Sequence, residues 1–272
     1  MENLEAYTAV LTIAGSDSIG GAGIQADIKT ISACGCYGAS VITAVTAQNT
    51  SGVIGVHPVP IQHLAEQLDA VCSDVRFDAV KIGMLHSSEA IQIIKKSILK
   101  YRLENIVLDP VMVTTSGDRL LRDESVVETL QSELLPLARL ITPNRLEAEI
   151  LLNNPLDNQC ELAENAVRLA EKYQTSVLLK GGHFREEKLT DVLFNFTTGT
   201  TSNFESKRIH TPNTHGTGCT LSSAIASFLA LHFSLEEAVE KAVDYLHGAL
   251  RAGKKFKLGQ GYGPVHHFYR FW

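Results

Sequence analysis

The segment best suited to chemistry is a glycine-rich loop that runs directly into an apolar helical pattern. Residues 213–219 read NTHGTGC, and apolar residues with helical spacing follow over 219–231. Glycines allow a turn in which backbone N–H groups converge, and a helix behind them adds the positive end of its dipole. Such a loop stabilises the spread negative charge of a phosphoryl group in transfer, so Gly216, Thr217 and Gly218 are candidate catalytic residues. An ordinary glycine-rich loop is the alternative.

Cys219 adds a possible proton acceptor at the start of that helix. A thiol at a helix N-terminus has a lowered pKa, because the helix dipole stabilises the thiolate. With a pKa near neutrality, Cys219 would suit a general base that takes the proton of a substrate hydroxyl. A small buried hydrophobic residue is the other common role of a free cysteine, and chemistry alone leaves both roles open.

Two other glycine-containing segments resemble nucleotide motifs without matching them. Residues 21–26 fit G-x-G-x-x-A after a predicted strand. The acid that a dinucleotide fold needs about 20 residues further on is missing, since the second strand ends in TAQN at 46–49. Residues 248–255 lack the Ser or Thr of a P-loop and lie within a helical pattern. The sequence therefore argues against a nicotinamide or flavin oxidoreductase.

Short apolar runs alternate with helical patterns along nearly the whole chain, which predicts a mostly parallel sheet with helices on both faces. The last two apolar runs, joined by TTGTTSN, are predicted to form an antiparallel hairpin at the sheet edge. No linker, repeat or low-complexity tract is visible, so one domain over residues 1–272 is expected. The predicted strands are 9–15, 40–46, 79–82, 105–109, 140–142, 176–180, 191–196 and 204–209, and the predicted helices are 22–34, 60–74, 87–100, 123–134, 145–152, 160–173, 219–231 and 235–252.

Polar residues cluster where several predicted strands end. Open parallel sheets bind ligands beyond the carboxyl ends of their strands, so we expect the functional site at that edge. The clusters are GSD at 15–17, QN at 48–49, DP at 109–110, TPN at 142–144 and KGGH at 180–183.

Together these segments resemble the ribokinase-like superfamily. NTHGTGC is similar to its D-T-x-G-A-G-D signature, with Asn in the first place and Cys in the last. That variant resembles the hydroxymethylpyrimidine and bacterial pyridoxal kinases, in which the cysteine replaces the usual aspartate base. The resemblance covers nearly the whole chain and implies a three-layer α/β/α sandwich with a mostly parallel sheet and an antiparallel edge. The other matching segments are AGSD at 14–17, GGAGIQAD at 20–27, 43–50, KIGML at 81–85, DPVM at 109–112, LKGGH at 179–183 and GPVHH at 263–267.

The resemblance implies ligands for phosphate and metal. Lys180 would meet the ATP phosphates as a point charge. Asn144 and Glu147 form an N-x-x-E pattern that in the superfamily holds Mg²⁺ and phosphate largely through water, and a helix cap is the alternative for this pair. Asp109 would join the metal network or position the acceptor. His215 would contribute to nucleotide binding through its backbone rather than its ring, together with the loop glycines.

The resemblance also implies a pocket for the acceptor. Gln48 would read an aminopyrimidine, because its planar amide offers one acceptor and two donors that match a ring nitrogen beside an exocyclic amine. The backbone of Val111 and the side chain of Met84 would line the same pocket, although Met84 could equally be plain core. Gly15 and Asp17, at the end of the first strand, would lie close to the substrate.

Composition limits the partners and the compartment. The net charge of -6 disfavours a broad electrostatic surface for nucleic acid or an anionic membrane. Five cysteines without a framework spacing indicate a reducing compartment, and no apolar run approaches the ~20 residues of a membrane span. The first residues carry no basic leader pattern, so we expect a cytoplasmic protein. None of the ten histidines lies in zinc-ligand spacing.

The resemblance implies two successive phosphoryl transfers from ATP with Mg²⁺. The first acceptor would be 4-amino-5-hydroxymethyl-2-methylpyrimidine and the second its monophosphate, as the resemblance implies for thiamine biosynthesis, and a homodimer is implied as well. Pyridoxal or pyridoxine phosphorylation is the alternative. Bacterial kinases of that type tend to carry a second cysteine where this chain continues TTSGD at 114–118. A binding module without catalysis would lack the loop, the lysine or the N-x-x-E pattern, and all three are present.

Overall fold

Nine β-strands form one continuous sheet in the computed structural model, which describes residues 5–112, 123–182, 184 and 186–272. They are Ala9–Ser16 (β1), Tyr37–Asn49 (β2), Gly52–Pro58 (β3), Ala79–Ile82 (β4), Ile106–Leu108 (β5), Leu140–Ile141 (β6), Ser176–Leu179 (β7), Lys188–Asn195 (β8) and Thr200–Lys207 (β9). Their order across the sheet is β3-β2-β1-β4-β5-β6-β7-β8-β9. β1, β2 and β4 to β7 run parallel, whereas β3 at one edge and β8 and β9 at the other pair antiparallel.

Helices cover both faces of this sheet. In the described parts of the chain they are Gly23–Ala33 (α1), Ile61–Cys72 (α2), Ser88–Tyr101 (α3), Glu124–Thr129 (α4), Arg145–Leu152 (α5), Leu162–Tyr173 (α6), Thr217–Ala230 (α7) and Leu235–Gly253 (α8). Side chains of β1 alternate between two cores: Leu11 and Ile13 pack in one with Leu64 of α2, and Val10 packs in the other with Ile225 of α7. The predicted α/β/α layering, with its antiparallel edge at β8 and β9, is confirmed.

The sequence does not predict β3, and it predicts only the middle of β2. All seven residues of β3 are exposed, so the strand has no buried face whose alternation would mark it in the sequence. Among the described strands, β3 pairs only with β2, and the two form a hairpin that extends the first edge of the sheet.

Helix α7 starts two residues earlier than predicted, at Thr217. Gly218 and Cys219 therefore lie in its first turn, and all residues from Thr220 to Ala230 are buried. The predicted helix 123–134 ends earlier as regular α-helix, at Thr129, and continues as a wide turn over Leu130–Leu134. Among the described helices, none combines the length and the apolar character needed to cross a bilayer.

Candidate active site

The glycine-rich loop meets α7 at a position that only glycine can occupy. Gly216 caps the helix with a φ of 79°, and a Cβ there would lie 1.8 Å from the carbonyl oxygen of Gly21. Within the described residues, the backbone N–H groups of Gly218 and Cys219 donate to no other protein group. These two amides, at the positive end of α7, can therefore bind an anion.

Asp109 and Lys180 lie directly against this helix start. Lys180 Nζ is 2.9 Å from Asp109 Oδ1, and a Cβ on Gly218 would lie 3.2 Å from Asp109 Oδ2 and 3.6 Å from Lys180 Nζ. Asp109 follows β5 and Lys180 follows β7, so parallel strands bring them to the same edge of the sheet. Burial acts to raise the pKa of Asp109, but the charges of Lys180 and Lys81 hold it below its usual range.

Asn144 and Glu147 form the helix cap that the sequence left open as an alternative. Asn144 Oδ1 accepts from the Glu147 backbone N–H at 3.0 Å, and Glu147 Oε2 accepts from that of Asn144 at 2.8 Å. Glu147 is almost fully buried, and burial raises its pKa to about 7 although the charge of Lys180 acts to lower it.

Two carboxylates, Asp109 and Glu147, therefore lie around Lys180 at the anion-binding end of α7. No group of three or more potential metal ligands occurs in the part of the chain that the structure describes. Carboxylate oxygens suit Mg²⁺, which retains several waters and takes substrate phosphates as further ligands. The residues present fit a magnesium ion that arrives with a nucleotide.

Cys219 is half-buried. The sequence predicts a lowered pKa for its thiol, and the structure indicates the opposite. Burial raises the pKa of Cys219 to about 11, whereas the charge of Lys81 and the backbone N–H of Gly23 act to lower it. The expectation of a pKa near neutrality is wrong, because desolvation of the thiolate outweighs the charge of Lys81 and the hydrogen bond from Gly23. At neutral pH the group is a thiol.

A buried ionic pair that sequence reasoning missed lies below this helix. Lys81 Nζ is 2.8 Å from Asp27 Oδ2, and both side chains are 0% exposed. The hydroxyl groups of Thr12 and Ser223 also donate hydrogen bonds to the Asp27 carboxylate, at 2.7 and 2.8 Å. A lysine inside the four-residue strand AVKI was the signal in the sequence, because a buried strand seldom holds a charge.

Asp17 organises the loop after β1 instead of facing a ligand freely. Its carboxylate accepts hydrogen bonds from four groups, which are the backbone N–H groups of Ile19, Gly21 and Ala22 and the Nε2 of His215. Burial acts to raise the pKa of Asp17, but the bonds from His215 and Ala22 hold it below the usual value. Asp17 therefore holds the loop after β1, and its position close to the substrate stays a prediction.

The ring of His215 forms contacts within the protein, and its role in nucleotide binding stays a prediction. Its Nε2 lies 2.8 Å from Asp17 Oδ2 and 3.4 Å from Gln48 Nε2. Its backbone N–H donates to the carbonyl oxygen of Gly263 at 3.0 Å, so that amide is not available to a phosphate. Gly21 leaves room for the ring, since a Cβ there would lie 2.5 Å from His215 Cδ2.

The structure brings the remaining predicted acceptor residues to the same edge of the sheet. A Cβ on Gly15 would lie 2.6 Å from Met84 Cε, so the two residues are in contact. Met84, Val111 and Gln48 are each half-buried, which keeps part of every side chain accessible. The Val111 backbone N–H donates to Asp109 O at 2.8 Å, so only its carbonyl and side chain could face a ligand.

A cleft of about 430 Å³ lies between the end of β9 and the second half of α8. The chain runs from this cleft, through residues 208–212, into the glycine-rich loop. Burial and the charge of Arg251 hold the pKa of His247 below its usual value. The sequence did not indicate this cleft. Its walls are Glu205, Ser206, Lys207, Arg208, Ile209, Val243, Asp244, His247 and Arg251.

The sequence and the fold are similar to those of known kinases. The profile of a family described as phosphomethylpyrimidine kinase matches residues 17–266. The hydroxymethylpyrimidine/phosphomethylpyrimidine kinase of Rhizobium meliloti is 49% identical over 263 residues, which are 96% of this chain and 97% of that protein. The thiamine biosynthesis bifunctional protein ThiED of Geobacter sulfurreducens is 48% identical over 95% of this chain, which matches 52% of that longer protein. The ADP complex of Bacillus subtilis pyridoxal kinase is 35% identical, covers 96% of this chain and 98% of that one, and superimposes with a TM-score of 0.88.

Proposed function

Because the chain belongs to the phosphomethylpyrimidine kinase family, we propose that it phosphorylates 4-amino-5-hydroxymethyl-2-methylpyrimidine with ATP and then phosphorylates the monophosphate, in thiamine biosynthesis. The fold is ribokinase-like. The observation that carries the proposal is the position of the Asp109–Lys180 pair, 3.2 and 3.6 Å from where a Cβ of Gly218 would stand, at the open start of α7. A cation and free amides at one point suit a phosphoryl group in transfer.

Phosphoryl transfer needs charge stabilisation more than covalent chemistry from the protein. The Lys180 ammonium would donate hydrogen bonds to the phosphate oxygens as well as to Asp109. The amides of Gly218 and Cys219 would bind the oxygens of the transferred group. Asn144 would hold Glu147 through the cap described above. Asp109 and Glu147 would hold Mg²⁺, which neutralises charge that develops on the phosphate oxygens when it is bound.

Cys219 would act on the acceptor hydroxyl in the first transfer only. A thiolate at Cys219 can take the hydroxyl proton, and the raised pKa makes that thiolate a strong but scarce base at neutral pH. The monophosphate that accepts the second phosphoryl group is already ionised and needs no base. The two transfers therefore depend differently on this residue.

Gln48 would recognise the aminopyrimidine, with Gly15, Met84 and Val111 around the ring. Replacing Gln48 by Ala should raise the KM for the pyrimidine at least about tenfold and leave the KM for ATP within about twofold, since the buried partner atoms of the ring would lose their hydrogen bonds. Equal changes in both KM values would argue against this assignment.

The cleft beside β9 and α8 is our candidate for the nucleoside end of ATP. It leads along the chain to Gly216 and carries the cations Lys207, Arg208 and Arg251. We expect Arg251→Ala to raise the KM for ATP and to leave that for the pyrimidine unchanged. The reverse pattern would place the nucleoside elsewhere.

Pyridoxal is the second candidate acceptor, because the B. subtilis pyridoxal kinase shares the fold at 35% identity. The segment 114–118, on which the sequence comparison of the two activities depends, lies outside the described residues. A coupled ATP-consumption assay with hydroxymethylpyrimidine, its monophosphate and pyridoxine tests the proposal directly. We expect turnover of the first two at a kcat/KM at least about tenfold above that of pyridoxine. The opposite order would make the chain a pyridoxine kinase.

We further propose that the chain forms a homodimer, as the family resemblance implies, and that the β2–β3 hairpin is the interface. β3 is an edge strand, and the hairpin exposes Val45, Val53, Ile54 and Val56 to solvent. Light scattering should give a dimer for the wild-type enzyme and a monomer for Ile54→Lys. A wild-type monomer, or a dimer that survives this change, would contradict the assignment.

We place the enzyme in the cytoplasm, as one domain over residues 1–272. All five cysteines are free thiols, which suits a reducing compartment, and ATP is available there. A fusion to a fluorescent protein that concentrated at the cell envelope would contradict this location.

A further inference from the structure

The chain beyond α8 binds the acceptor side of the candidate site. We call residues 256–267 the C-terminal strap. Thr50, two residues beyond Gln48, accepts hydrogen bonds from three backbone N–H groups of the strap. Those of Gln260 and Gly261 donate to Thr50 Oγ1 at 3.1 Å each, and that of Tyr262 donates to Thr50 O at 2.8 Å. A Cβ on Gly261 would lie 2.1 Å from Thr50 O, so the strap fits closely here.

The same strap binds the glycine-rich loop through Asn213, which is buried. Asn213 Nδ2 donates to the carbonyl oxygens of Gly253 and Phe256, at 2.7 Å each. A Cβ on Gly263 would lie 2.1 Å from Asn213 Oδ1. Two carbonyl oxygens thus face this side chain, which explains why it is an amide: a carboxylate has no hydrogen to donate to them.

Two further contacts join the strap to the start of α7. The His215 backbone N–H donates to Gly263 O at 3.0 Å, and His267 Nε2 lies 3.2 Å from Thr220 Oγ1. Because the strap also binds Thr50, one short segment contacts both the turn directly after the strand that carries Gln48 and the loop that ends at Gly216. His215 Nε2 also lies 3.4 Å from Gln48 Nε2, which is a second, direct contact between these regions.

We propose that the C-terminal strap is a positioning element, anchored at Thr50 and Asn213, that sets the separation between Gln48 and the anion-binding start of α7. This inference rests on the proposed kinase function. Neither anchor is a residue to which we assign contact with the substrate or ATP. In-line transfer requires the two reacting atoms to lie ~3–3.5 Å apart, and a displacement of ~1 Å can lower the rate up to about 100-fold.

Thr50→Val tests the first anchor, because valine keeps the shape and removes the oxygen that receives two strap amides. We expect kcat for both transfers to fall about tenfold and the KM for ATP to change less than about twofold. Thr50→Ser should restore kcat to within about twofold of wild type, since it returns the oxygen. Thr201→Val, on an exposed part of β9, is the matched control and should match wild type. Unchanged kcat in Thr50→Val, or no rescue by serine, overturns the proposal.

Hydrogen exchange provides a readout that does not need turnover. The hydrogen-bonded amides of His215, Thr217 and Thr220 should exchange at least about fivefold faster in Thr50→Val and in Asn213→Asp than in wild type and Thr201→Val, at unfolding midpoints within a few degrees. Asn213→Asp disrupts the other anchor of the strap, so it tests the proposal even if Thr50→Val does not fold. Unchanged exchange overturns the strap proposal. If the wild-type chain had no kinase activity on the pyrimidine or its monophosphate, the proposed function itself would be refuted.

Discussion

Lys81 Nζ lies 2.8 Å from Asp27 Oδ2 in a part of the protein that water does not reach. Ser223, one helical turn after Cys219, ties this pair to α7 through Asp27 Oδ1. Burial acts to lower the pKa of Lys81, but Asp27, Cys219 and Asp109 raise it, so the lysine stays charged. The start of α7 thus rests on a fixed positive charge that is matched by one carboxylate.

Breaking this pair should destabilise the protein. Lys81→Met leaves Asp27 buried without its cation, and we expect a loss of about 3–5 kcal/mol in the free energy of unfolding, measured by urea denaturation. The double variant Lys81→Met/Asp27→Leu should lose less than Lys81→Met alone, because no charge remains unpaired. A single variant within about 1 kcal/mol of wild type would contradict this account.

Much of the fold could be predicted because its strands and helices have buried faces. β1 and β4 are buried at nearly every position and read as apolar runs, and α7 and α8 show helical apolar spacing. β3 has no buried residue, so hydrophobic pattern could not reveal it.

The candidate site was predictable where the chemistry resides in side chains at strand ends. Lys180 and Asp109 meet as expected, since parallel strands carry both to one edge. The strap was not predictable, because its bonds to Thr50 and from Asn213 use backbone groups that sequence does not mark. The pKa of Cys219 was misjudged, because helix position is visible in the sequence and desolvation is not.

Cys219→Ala should separate the two transfers. We expect kcat of the first transfer to fall about 10²–10⁴-fold, the usual effect of losing a general base, and that of the second to fall less than about tenfold. Single-turnover assays with the pyrimidine and with its monophosphate measure each step. Cys219→Ser keeps the size of the side chain and should behave like the alanine variant in the first step. An equal fall in kcat for both transfers would contradict the assignment of Cys219 as the general base.

The raised pKa of Cys219 also predicts a pH dependence. With a pKa of about 11, the thiolate fraction grows about tenfold for each pH unit below that value. The first transfer should therefore accelerate between pH 7 and 9 in the wild-type enzyme and stay nearly flat in Cys219→Ala. A wild-type profile that is flat over this range would show that thiolate formation does not limit the step.

Lys180→Met should impair both transfers, because both move a phosphoryl group past the same cation. We expect kcat to fall about 10²–10³-fold in each step, the usual effect of removing one preorganised donor. Lys100→Met is the matched control, since Lys100 forms an exposed surface pair with Asp69. Loss confined to one of the two steps would show that Lys180 serves the acceptor instead of the transferred group.

His267 should make the stability of the protein depend on pH. It is buried, and burial, together with the charges of Lys29, His266 and His215, lowers its pKa to about 3. The unfolded state therefore binds more protons between pH 3 and the ordinary histidine value of 6.5. The stability linked to this group is fully present above pH 6.5 and is lost as the pH falls toward 3.

Between pH 6.5 and 5 this one group should cost about 2 kcal/mol of unfolding free energy, at about 1.4 kcal/mol per pH unit. Urea denaturation of wild type and His267→Asn at both pH values measures it, and the gap in stability between the two proteins should shrink by that amount at the lower pH. His63→Asn is the control, because His63 is exposed beside Glu66 and should keep the wild-type slope. Parallel curves for wild type and His267→Asn would mean that His267 gains its proton without leaving its contact with Thr220.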